Sequence, residues 1–96
     1  MYVRGMVMEE FIILANKTLT GQEENLYTNA KGALIKTIMF HNSTGVKTEA
    51  ALKFDSVAFN FPLEADETKI FDNTILTKTM TGQGDGINIH VTALQL

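Results

Sequence analysis

From residue 11 to the end of the chain, apolar side chains recur every second position, and no window repeats them at i, i+3, i+4 and i+7 over three helical turns. A period of two is the signature of extended backbone, in which successive side chains point to opposite faces. The clearest case is Ile87, Ile89, Val91 and Ala93, alternating with Asn88, His90, Thr92 and Leu94. Residues 47–54 alternate Ala50, Leu52 and Phe54 with Glu49, Ala51 and Lys53, the pattern of a strand with one face buried. Strands are predicted near residues 12–20, 25–28, 32–41, 47–54, 56–62, 67–71, 74–79 and 86–95.

The segment 32–41 differs, because Leu34, Ile38 and Phe40 on one side face Ala33, Ile35 and Met39 on the other. Apolar on both faces, it is predicted to be a central strand covered twice. Val57, Phe59 and Phe61 alternate with Ala58 and Asn60. Five of the six phenylalanines, Phe40, Phe54, Phe59, Phe61 and Phe71, lie on predicted strands and are expected to form the core. Gly21–Glu24, Asn42–Gly45, Glu64–Glu67, Asp72-Asn73 and Gly82–Gly86 interrupt the apolar runs with turn-forming residues. Strands separated by such turns predict an all-β, antiparallel two-sheet β-sandwich or jelly-roll-like fold. Residues 11–96 form its single domain, and residues 1–10 stand before it.

Composition limits how such a domain is held together. With 96 residues the chain buries about 60–65% of its unfolded surface. No cysteine is present and only two histidines, so neither a disulfide nor a structural zinc site can reinforce the core. Burial against other copies of the chain is the remaining support. The net charge of −3 and eight scattered Lys and Arg residues argue against nucleic acid and anionic membrane as partners. Phe11–Ala15, the longest apolar run, is far shorter than the roughly 20 residues of a spanning helix. Glu9 and Glu10 break what would be a signal-peptide core, so synthesis in the cytoplasm is expected.

Residues 1–10 contain Met1, Met6 and Met8. They read either as a loosely tied terminus whose true start is Met8, or as an arm that lies on a neighbouring subunit through adaptable Met contacts.

The motifs that could carry chemistry are weak. Gly82-Gln83-Gly84-Asp85-Gly86 has no Lys-Ser or Lys-Thr after it for a phosphate loop, and Ile87 stands where a dinucleotide fingerprint needs glycine. It matches half of a calcium nonapeptide, which needs tandem copies. A flexible glycine turn is the plain reading. His41 and His90 could approach one another, with no third ligand fixed by the sequence. The acidic pairs Glu9-Glu10, Glu23-Glu24 and Asp66-Glu67 read as solvated turn residues, not as carboxyls held across a cleft. Ser43 and Ser56 lack a nucleophile elbow. No enzyme activity and no cofactor are expected. A glycan-binding module would need exposed aromatic platforms; there is no Trp, and Tyr2 and Tyr27 are far apart.

The order of segments is itself informative. Thr18-Leu19-Thr20, Leu26-Tyr27-Thr28, and Ala33–Ile38 running into Asn42-Ser43-Thr44-Gly45 are followed by Leu63–Thr68 and by the glycine turn leading to Ile87–Thr92. Over residues 17–96 this order resembles the small β-sandwich structural proteins of tailed bacteriophages and prophages. The resemblance implies a virion component, such as a capsid decoration, head-fibre or tail-associated protein, made in the bacterial cytoplasm. Its implied partners are other copies of itself and phage capsid or tail proteins. The contacts are expected from Gly82, Gln83, Gly84, Asp85 and Gly86 and from Met6 and Met8. A receptor- or glycan-binding module for host attachment is the alternative.

Overall fold

The computed structural model describes residues 11–96; Met6, Met8 and the rest of residues 1–10 lie outside the described residues. The described chain contains seven strands and no helix: β1 (Phe11–Thr18), β2 (Glu24–Asn42), β3 (Thr48–Phe54), β4 (Val57–Leu63), β5 (Thr68–Phe71), β6 (Ile75–Gln83) and β7 (Ile87–Gln95). All pair antiparallel in one sheet of order β1-β7-β2-β6-β3-β4, with β5 beside β2. The all-β class and the antiparallel pairing expected from the alternation are therefore present.

Two predicted strands, 25–28 and 32–41, are one. β2 runs through both, and the turn-like Asn29-Ala30-Lys31-Gly32 is a bulge within it, set between the pairs Thr28↔Thr79 and Ala33↔Thr77. Asn29 Oδ1 accepts from Lys31 N at 2.9 Å, and Gly32 closes the excursion at φ 83°, a left-handed conformation natural to glycine. Beyond the bulge β2 is central, flanked by β7 on one side and by β6 and then β5 on the other.

A second irregularity, between Ile35 and Thr37, shifts the register against β7. It inverts the alternation, so Ala33, Ile35, Ile38, Phe40 and Asn42 all face inward while Leu34 and Met39 face outward. The double covering expected of this strand is corrected by that extra residue: one face is buried, the other is surface.

The inner face holds the core. Ile87, Ile89, Val91 and Ala93 of β7 and Ala50 and Leu52 of β3 are fully buried as their periodicity predicts, with Leu63 and Met80 beside them. The rings of Phe40 on β2 and Phe61 on β4 lie 4.8 Å apart although two strands separate them along the hydrogen-bonded path, so the sheet bends back over itself. Phe71 meets Phe61 edge-on at 5.5 Å. Phe59 does not join the core and is 50% exposed, because β4 ends the sheet path and no strand covers its first half.

Candidate functional site

The glycine turn is the first of the sequence candidates to be placed. Gly82 and Gln83 end β6, and Gly84-Asp85-Gly86 leads into β7. It is hydrogen-bonded to the chain around Thr20, with Gly86 at the positive φ that glycine allows. Gly84 N donates to Thr20 O at 2.8 Å, Gly86 N to Leu19 O at 3.2 Å, and Gln83 Nε2 to Gly21 O at 2.8 Å. The glycines answer to close packing: a Cβ on Gly84 would lie 3.2 Å from Ala50 Cα, and one on Gly86, at φ 80°, 2.4 Å from Thr44 Cγ2. Of the five residues, Gln83 and Asp85 present exposed side chains.

The histidines come close but gather no acid. Met39 pairs with His90 and His41 with Asn88, which sets His41 diagonal to His90 along one edge of a shallow depression also lined by Asn16. Among the described residues no group of three or more His, Asp or Glu is arranged to hold a metal ion. His41 Nδ1 bonds Thr68 Oγ1 at 2.8 Å.

The carboxylates tie strands together. Glu23 accepts from Lys53 Nζ at 3.1 Å and from Thr81 Oγ1 at 3.1 Å, and these bonds hold its pKa below the usual value. Glu24 is lowered chiefly by its bond to Lys17, with Thr20 adding to it. Asp55 is lowered by the backbone N–H groups of Lys78 and Thr79, 2.9 and 3.0 Å from its Oδ1. Ser43 Oγ donates to Gly86 O at 2.8 Å, and Tyr27 OH to Gln95 Oε1 at 2.8 Å. Each of these groups closes a turn or a strand contact.

What the alternation alone could not reveal is how the outward side chains align across strands. Directly opposed residues point to the same face. Phe11 pairs with Leu94, Leu94 with Leu34, and Leu34 with Leu76, giving an apolar row across four strands. The next row is Ile13, Thr92 and Thr37; the next, Asn16, His90, Met39 and Ile70. The last, Thr18, Asn88, His41 and Thr68, is polar, and Thr18 Oγ1 bonds Asn88 Oδ1 at 2.6 Å. These paired positions contain no Lys, Arg, Asp or Glu, and Asp72 borders the second row, its Oδ1 accepting from Thr37 Oγ1 at 3.2 Å. The outer face thus grades from an exposed apolar end, with Phe11 and Leu76 more than half exposed, to a polar, mutually bonded end.

A second feature lies on the other side of the molecule. Phe54, Phe59, Phe61, Phe71 and Ile75 wall a pocket of about 420 Å³ where β4 stands away from β5 and the start of β6. Asn60, Asn73 and Thr74, all exposed, complete its lining. Neither feature was recognised from the sequence. Comparison with protein-family models gives no match, and comparison with curated proteins gives none either.

Proposed function

We propose that this protein is a structural assembly protein, a virion component of a phage or prophage that acts by associating with copies of itself and with capsid or tail proteins. The observation that carries the assembly half of this reading is the outer face of β1, β7, β2 and β5 with Leu76 of β6, whose paired positions hold no Lys, Arg, Asp or Glu and whose apolar end exposes Phe11, Ile13 and Leu76. Depletion of charge around exposed large apolar groups distinguishes the centre of a protein interface from ordinary surface. A second copy is the occupant that fits, since a sheet face graded from apolar to polar complements itself about a two-fold axis. The virion setting comes from the resemblance of residues 17–96 to small structural proteins of tailed phages.

The finer architecture we propose is a two-layer, jelly-roll-like sandwich. The Phe40–Phe61 contact at 4.8 Å supports it, because β3 and β4 then form one layer and β1, β7 and the second half of β2 the other. The proposal is tested by sedimentation velocity over a concentration series, with mass spectrometry of particles released by induction. A concentration-dependent oligomer that Leu76→Glu reverts to monomer, together with the chain in purified particles, is expected. A monodisperse monomer absent from particles overturns it.

A further inference from the structure

The aromatic pocket beside β4 lies on the inner side of the sheet, away from the outer face assigned to assembly. We propose that it is a binding site for an uncharged ligand bearing a flat aromatic ring with a hydrogen-bonding substituent, a phenol or benzamide type of group. Four observations carry this.

The first is size: about 420 Å³ falls within the roughly 300–1,000 Å³ of small-molecule pockets. The second is charge, for no Lys, Arg, Asp or Glu lines it, which favours a neutral occupant over an anion or cation. The third is preformation. Phe61 is held between Phe40 at 4.8 Å and Phe71 at 5.5 Å, and Phe59 rests on Phe54 at 5.9 Å, so the aromatic walls are fixed by their own packing. A ring entering there gains offset or edge-on contacts with walls already in place.

The fourth observation concerns polarity. Asn73 and Thr74, both exposed, border the phenylalanine walls and supply polar groups on that side alone. That arrangement suits a ligand apolar at one end and polar at the other. A sugar, which carries hydroxyls around its whole rim, would leave most of them against phenylalanine and unpaired. A ring with one polar substituent places its polar group beside Asn73 and Thr74. The strand geometry keeps the site open: Lys69 Nζ donates to Pro62 O at 2.6 Å and pins β4 to β5 at one end, while Phe59 and Asn60 at the other end have only β3 beside them.

The test is an amide-resolved NMR titration of the full chain with p-cresol, benzamide and, separately, methyl glucoside. Saturable shifts confined to residues 57–61 and 71–76 are expected with the two aromatic probes. Phe59→Ala, at a half-exposed position, should weaken binding at least ten-fold with the rest of the spectrum unchanged. Thr74→Trp, which adds bulk at an exposed lining position without removing a phenylalanine, should abolish it. Shifts that stay linear or scatter over the surface overturn the proposal, as does saturation by the glucoside alone. If the same resonances move on dilution without probe, the pocket belongs to a second copy and the small-molecule assignment falls.

Discussion

Asp55 and Ser56 form the two-residue turn between β3 and β4, and both adopt positive φ, 51° and 77°. Such a turn matches the twist of the strands it joins, and Asn-Gly or Asp-Gly are its favoured sequences. Asp55 fits on two counts, since its carboxylate also holds the Lys78 and Thr79 N–H groups. Ser56 carries a Cβ where glycine would be free of strain. Ser56→Gly should therefore raise stability by about 1 kcal/mol, measured by urea denaturation. Asn42 is the opposite case. Fully buried, it donates from Nδ2 to Val46 O at 2.6 Å and Glu64 O at 3.0 Å, and its Oδ1 accepts from Thr44 N at 2.9 Å and Thr44 Oγ1 at 2.7 Å. One side chain thus joins the turn after β2 to the turn after β4. Asn42→Ala removes these four hydrogen bonds from a fully buried position and unties the two turns, and a loss of about 3 kcal/mol is expected in the same measurement.

At the scale of strands, three carboxylates fasten one element to another: Glu24 ties the start of β2 to β1, Glu23 ties its approach to β3 and β6, and Asp55 ties the β3–β4 turn to β6. All three have folded-state pKa values below those of the unfolded chain, so their contribution is complete above the ordinary carboxylate range and is lost as pH falls through the depressed values. Thermal unfolding temperature should hold steady near neutrality and drop below about pH 4.5, and Asp55→Asn should flatten that drop. The strands themselves were largely readable in advance, because β3, β5 and β7 are straight enough to keep strict alternation. β2 departs from the alternation wherever it is irregular. Asn29–Gly32 carries turn residues inside a strand, and the extra residue near Lys36 exchanges the two faces, which no count of period two detects. Phe59 differs from its expected core position for a related reason: its alternation is correct, but burial requires a covering strand, and coverage is a property of sheet order.

The apolar outer face is a property of the whole molecule. Phe11, Leu34, Leu76 and Leu94 are separated by up to 83 positions in sequence, counted from 11 to 94, and align only through three successive pairings. Each is unremarkable alone, and the row exists only once register is fixed. The same physics says how its association should respond to solution conditions. A contact built mainly on uncharged side chains gains little from Coulomb attraction, so salt should not dissolve it; sulfate, excluded from apolar surface, should tighten it. Burial of apolar area also carries a negative heat-capacity change, and its free energy weakens on cooling near room temperature. Calorimetric dilution of the oligomer should give a dissociation heat that rises with temperature, and sedimentation in sodium sulfate should shift the population toward the larger species. Dissociation by raised sodium chloride would instead place the contact at charged residues such as Lys47 and Glu64, whose 3.4 Å pair lies on exposed turns outside the outer face. Phe11→Glu and Leu76→Glu each introduce one carboxylate at opposite ends of the same row, and each should shift the equilibrium toward monomer. Their double variant is expected to add little, because the first charge already disrupts the apolar contact.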